Sequence, residues 1–333
     1  MSHGSTLEAL FERGRPAPHG LEVEQVVGAL AERFGARARP PVTIGRYQVA
    51  GRLGAGGLGI VYRAFDPSLA RFVAIKVLKG GKEAAEHDAR LLREAQVLAR
   101  IRHPHVVEVF DVGFFEDHGR RRFFVAMELV EGTDLRVWLA RGQPLRATCD
   151  AFLAAAQGLR AAHEAGLLHR DFKPSNVLLG NQGRVLVTDF GLARAHDGDD
   201  PDHEPPARRS SGSVRELDAI TEVGEVVGTP AYMAPEQLRG DPVDARADQY
   251  AYCTALYEGL YGARPFLGDD VKELRQAIWC GPPPEPRDRA VPAWLRRIVL
   301  RGLSVDPAER FPDMDALLAA LERDPSRRRR RIA

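Results

Sequence analysis

The stretch His169-Arg170-Asp171-Phe172-Lys173-Pro174-Ser175-Asn176, followed closely by Asp189-Phe190-Gly191, decides the reading of this chain. It gathers a carboxylate that can accept a hydroxyl proton and an ammonium that can neutralise a phosphoryl group in transfer. A carboxamide and a second carboxylate add hard oxygen donors suited to Mg2+. Together these are the parts of a phosphoryl-transfer centre. Any one of them alone fits a capped turn or a solvated loop better.

Upstream, the segments YQVAGRL, GIVYRAF, FVAIKVL, VVEVFDV and FFVAMEL, from Tyr47 to about Met127, are rich in β-branched and aromatic residues and are separated by Gly, Pro and charged turns. This pattern predicts a five-stranded antiparallel sheet. Between the third and fourth strands Leu91, Leu92, Ala95, Leu98 and Ala99 recur at helical spacing. The run Gly54-Ala55-Gly56-Gly57-Leu58-Gly59 joins the first two strands. Glycine lets backbone amides approach phosphate closely, but a ligand-free hairpin turn accounts for this run equally well on its own. Because GIVYRAF reads as a strand, the helix that a dinucleotide fold would need after the glycines is missing. Lys76 sits among Ala74, Ile75, Val77 and Leu78, where a buried ammonium needs an anion. Nucleotide phosphate or Glu94 would serve, and an edge-strand lysine facing solvent is the alternative.

Downstream of Gly132 helical periodicity dominates, at about 147–165, 244–260, 271–280, 293–303 and 313–322, with short extended pieces near 177–188. The expected architecture is α+β and bilobal: a small antiparallel β lobe with one helix at 46–131, a hinge near 128–132, and a larger helical lobe at 132–322. Residues 1–45 read as an appendage. Ser5 and Glu8 have capping-box spacing, and Val23, Val26, Val27, Leu30 and Phe34 recur at helical spacing before the prolines at 40 and 41. Residues 196–219 carry acids, prolines, serines and arginines with hardly any apolar residue to bury. Residues 323–333 form a basic tail.

Composition narrows the function classes. The 333 residues carry 47 Lys and Arg against 46 Asp and Glu, so there is no global pull toward nucleic acid or anionic membrane. At 44% hydrophobic and 28% charged, the chain has too much apolar material to be wholly disordered. No apolar run approaches the roughly 18 residues needed to cross a bilayer. The start of the chain lacks a signal-peptide pattern, and Cys149, Cys253 and Cys280 are scattered. A cytoplasmic location is expected, with neither a disulfide framework nor a CxxC zinc site.

Taken in order, these motifs resemble a eukaryotic-type (Hanks-type) serine/threonine protein kinase of bacterial texture, from about Tyr47 to Leu321. The resemblance implies that ATP and Mg2+ are the cofactors. By it, Gly54, Gly56 and Gly59 cover the phosphates, Lys76 held by Glu94 grips the α- and β-phosphates, and Asp171 is the catalytic base. Lys173 contacts the γ-phosphate, and Asn176 and Asp189 hold the metal. Adenine would lie between Leu53, Val61 and Ala74 above and Leu178 below, bonding the backbone of Glu128 and Val130 after Met127. Asp134 would take the ribose hydroxyls. The apolar positions also read as plain core. GTPAYMAPE at 228–236 resembles the end of an activation segment, and Lys173 with Thr229 matches the Ser/Thr subclass. Glu236 with Arg310, and Asp248, resemble the family's structural braces. Phe172 stands where leucine is commoner, and Leu58 where an aromatic often stands.

The resemblance further implies protein substrates with Ser or Thr acceptors, the chain itself among them. Arg170 would receive a phosphate from the activation segment, with Thr221 favoured over Ser210, Ser211 and Ser213. The Arg327–Arg331 run reads first as a solvated tail and second as a contact for an anionic membrane surface. A pseudokinase would be expected to lack the equivalents of Lys76, Asp171 or Asp189, and an antibiotic-type phosphotransferase would lack GTPAYMAPE and the Asp248 and Arg310 braces. This sequence has them all.

Overall fold

The computed structural model describes residues 41–56, 59–78, 85–190, 230–284 and 291–323. The expected N-terminal helices, the 196–219 insertion, Thr221, Thr229 and the arginine tail lie outside them. The chain divides into two compact units, the first containing the strands up to residue 78 with Phe110–Leu129, and the second Ala84–Val109 with everything from Val130 onward.

In the first unit the five expected strands form as β2 (Tyr47–Gly56), β3 (Gly59–Asp66), β4 (Arg71–Leu78), β5 (Val109–Asp117) and β6 (Arg120–Glu128). A sixth, β1 (Thr43–Ile44), is too short to show an alternating pattern and was not expected. The sheet order is β1-β2-β3-β4-β6-β5. Alternation along β3 buries Ile60, Tyr62 and Ala64 on one face. With Ile44, Tyr47, Val73, Ile75, Val77, Phe124 and Ala126 they make the core of this unit. Tyr47 meets Phe124 edge-on at 6.1 Å, the arrangement that aromatic quadrupoles favour.

The second unit opens with α1 (Ala85–Leu98), the helix expected between the third and fourth strands. A three-stranded sheet follows, from β7 (Gly132–Asp134), β8 (Val177–Gly180) and β9 (Val185–Val187). The remaining α-helices among the described residues are α2 (Leu135–Ala140), α3 (Leu145–Glu164), α4 (Pro235–Arg239), α5 (Ala245–Tyr261), α6 (Val271–Trp279), α7 (Ala293–Gly302) and α8 (Met314–Glu322). Helices α2 and α4 span at most two turns, too few for periodicity to register, and the sequence did not announce them. The long helices match their expected spans within a few residues. Asp244, Asp270 and Asp313 cap α5, α6 and α8 by accepting from backbone amides of the first turn. Nearly every side chain of α5 is buried, so it is the central post of this unit. Helix α3 lays Ala151, Phe152, Ala155, Ala156 and Leu159 inward. Gly158 lets α3 come close to the strand layer, because a Cβ there would fall on the carbonyl oxygen of His105.

Candidate active site

In the first unit the glycine run falls in the β2–β3 hairpin, with Gly54 opposite Val61 and Gly56 opposite Gly59. Cβ atoms at Gly54 and Gly56 would meet nothing within 4 Å, leaving that backbone open to an incoming group. Gly59 differs: a Cβ there would strike the carbonyl of Val77, so packing alone demands glycine. Leu53 is exposed. Val61 pairs with Lys76 and Ala74 with Met127, which sets Val61, Ala74 and Lys76 on one face of the sheet. Lys76 is only 4% exposed, so its ammonium sits where an anionic partner is most needed. Glu128 ends β6 opposite Val73.

In the second unit the loop after α3 carries the remaining chemistry. Lys173 Nζ donates to Asp171 Oδ2 at 2.7 Å. Asn176 Nδ2 donates to the Asp171 carbonyl at 2.8 Å and lies 3.3 Å from its Oδ2. One carboxylate is thereby fixed by a cation and an amide that are both close in sequence. With its nitrogen so committed, the Asn176 side chain has its carbonyl oxygen left for another partner. That oxygen and the Asp189 carboxylate are hard donors fitting Mg2+, which characteristically takes few protein ligands and keeps waters. Arg170 and Asp189 adopt left-handed backbone, φ 63° and 65°, a conformation costly for residues with Cβ and concentrated at functional sites.

What holds this backbone is Asp248 on α5. Its Oδ1 accepts from Arg170 N and its Oδ2 from His169 N, each at 2.7 Å, and Oδ2 also meets His163 Nε2 at 2.8 Å. Burial alone would push this carboxyl up, but the hydrogen bonds and charge of His163, with those of His169, outweigh it and hold it below the ordinary carboxylate value. Burial pushes His169 down, which favours its neutral form. Its Nδ1 lies 3.4 Å from Asp171 N and its Nε2 3.0 Å from Thr188 O, which fits the Nε2–H tautomer. Phe190 packs on the same ring with centroids 4.7 Å apart. Gln237 on α4 adds a donor to the Arg170 carbonyl at 3.1 Å.

Phe172 is fully buried, edge-on to His169 at 5.6 Å and 5.8 Å from Tyr252. The departure from leucine therefore fills the core beneath the loop and anchors it. Glu236 and Arg310 form the expected buried pair as a bidentate contact at 2.7 and 2.8 Å. The Arg310 guanidinium also donates to the carbonyls of Ser304 and Arg246.

Three expected site residues have contacts within the second unit. Glu94 lies 3.7 Å from Arg170 Nη1, so the helix carboxylate expected beside Lys76 has a cation within its own unit. Asp134 is the N-cap of α2, its Oδ1 accepting from Val137 N at 2.8 Å, so one of its oxygens is committed to the helix. It also stands opposite Leu178 in the β7–β8 pair. Val130 packs beside Gly180. His163 and Gln237 were not singled out in the sequence. A histidine late in a helix and a glutamine after Pro-Glu carry no local sign of their partners.

The sequence matches the protein kinase domain family over residues 47–320. It is 39% identical over 274 residues to serine/threonine-protein kinase PknD of Mycobacterium tuberculosis, covering 80% of this chain and 38% of that protein. It is 34% identical over 289 residues to PknB of Mycobacterium leprae, covering 85% and 44%. The chain thus spans about 40% of the length of these curated relatives. The crystal structure of the M. tuberculosis PknI kinase domain superposes with a TM-score of 0.63 at 30% identity, covering 86% of this chain and 98% of that one.

Proposed function

The chain belongs to the protein kinase family, and on that premise we propose that it transfers the γ-phosphoryl group of Mg-ATP to serine or threonine hydroxyls of proteins. The observation that carries this reading is Asp171, fixed by Lys173 and Asn176 on a loop that Asp248 pins from below. Asp171 Oδ2 accepts the proton of the Ser or Thr hydroxyl as that hydroxyl's oxygen bonds to the γ-phosphorus, and the bond from the γ-phosphorus to the β–γ bridging oxygen breaks to release ADP. The ammonium of Lys173 moves between that carboxylate and the transferred phosphoryl group, offsetting charge at each. Asn176 and Asp189 hold Mg2+, whose chemistry when bound is to neutralise and orient the phosphate oxygens. Lys76 steadies the phosphates further back, and Gly54 and Gly56 offer backbone amides to them. Leu53, Val61, Ala74 and Leu178 supply apolar surface for adenine, with the Glu128 and Val130 backbone and Asp134 reading its polar edges. Alignment and charge neutralisation supply most of the rate.

The same reading makes the activation segment a self-substrate, with Thr221 the favoured acceptor and Arg170 the cation that receives its phosphate. It places the enzyme in bacterial protein-phosphorylation signalling in the cytoplasm. No helix among the described residues is long and apolar enough to cross a membrane.

The test is incubation with radiolabelled Mg-ATP and a generic basic protein, followed by phosphosite mapping. The unaltered chain should label Ser and Thr, and Asp171→Asn should abolish transfer while nucleotide still binds. Transfer at a normal rate by Asp171→Asn overturns the assignment. Nucleotide binding without transfer by the unaltered chain points to a pseudokinase instead.

A further inference from the structure

The face of the first sheet that carries Val61, Ala74 and Lys76 continues past them into an exposed aromatic end. Cross-strand pairing sets Thr43 opposite Gln48, Gln48 opposite Phe65 and Phe65 opposite Phe72, a single row through β1, β2, β3 and β4. Directly opposed residues share a face, so Thr43, Phe65 and Phe72 lie on the same side. Phe72 is 42% exposed, and Leu69 in the β3–β4 turn is 59% exposed. Phe65 meets Phe72 edge-on at 5.4 Å, and the Arg63 guanidinium lies 3.6 Å over the Phe72 ring. Beside this cluster β2 offers Gln48 opposite Phe65 but no side chain at Gly51, which stands opposite Arg63 and on which a Cβ would meet nothing within 4 Å. The result is a mainly apolar shelf with one cation and one open position at Gly51.

We propose that this shelf is the docking surface for the chain's own N-terminal segment 21–34, bound through Val23, Val27, Leu30 and Phe34. Those residues fall on one side of a helix at 100° per residue, with Gln25 on the opposite side. Glu24 flanks the apolar stripe, as an acid facing Arg63 should. The chain enters the sheet at Thr43, in the row that ends at Phe72, about 14 Å away across three strand spacings. Eight residues lie between Phe34 and Thr43, and the nine steps can span up to about 30 Å. The segment therefore reaches the shelf with slack, whereas any other molecule must first be captured from solution.

The experiment uses the full chain with Leu69→Cys in the exposed turn, paired with Val27→Cys on the apolar side or Gln25→Cys opposite. After oxidation at high dilution, mapping of linked peptides by mass spectrometry should show the 27–69 link inside one chain. Its yield should be at least tenfold above the 25–69 link. Adding Phe72→Asp should lower the 27–69 yield by about the same factor, and since Phe72 is exposed the change leaves the core intact. Equal yields from the two pairs, or a yield indifferent to Phe72→Asp, overturn the proposal. Links formed between isotopically distinguished chains also overturn it, and assign the shelf to a second copy.

Discussion

Replacing Asp248 by Asn keeps the shape of the side chain and removes its charge. The carboxylate accepts from three donors, two on Oδ2 and one on Oδ1. Asparagine accepts at one atom only. Its better orientation keeps the oxygen toward His163 and His169 N and turns its amide against Arg170 N–H, a buried donor facing a donor. A lost charge-assisted bond is worth about 1.5–3 kcal/mol and an unsatisfied buried donor about 1–3 kcal/mol. Relief from burying a charge offsets part of this, leaving a net loss of about 2–4 kcal/mol. Urea unfolding followed by circular dichroism should read that loss at neutral pH. Because the folded carboxyl is held low, its contribution is complete above the unfolded value of about 3.9 and is lost as pH falls through the folded value. The gap between wild type and Asp248→Asn should therefore be constant near neutrality and close only in acid. The turnover number should fall more than the Michaelis constant rises, since the loop carrying Asp171 loses its anchor. A stability difference under about 0.5 kcal/mol, or a gap that widens in acid, refutes the bracing argument.

Glu236→Gln should leave the fully buried Arg310 uncompensated and cost about 3–5 kcal/mol, with Arg310→Met similar and the double change well short of their sum; a double-mutant cycle by urea unfolding reads this. Lys76→Met should cripple transfer while the protein melts near the wild-type temperature, because the replacement suits a buried position; normal turnover contradicts the assigned role. Gly158→Ala should destabilise by about 1–3 kcal/mol or more, because the methyl group falls on the His105 carbonyl that accepts from Val187 N. Calorimetry would measure it.

The parts of the site that could be read from the chain are those whose partners are near in sequence. Asp171, Lys173 and Asn176 meet within one loop, and the β2–β3 hairpin gathers its own glycines, so their order already carried the chemistry. The five long strands and long helices were legible because alternation and helical period repeat often enough to be seen. Strand β1 and helices α2 and α4 were too short to register.

Other features depend on groups far apart in the chain. His163 and Asp248 are separated by 85 positions and nothing local marks their pairing, while Arg310 and Glu236, 74 apart, were paired only through the family resemblance. Phe172 departs from the commoner leucine, and its packing against His169 and Tyr252 explains the larger ring. Gly59 serves strand packing as well as any ligand, and Glu94 faces Arg170. Chain order lists the reacting groups because chemistry fixes residue type. Their fixing, by buried hydrogen bonds and ring contacts, arises only when folding brings distant segments together and removes water from between them.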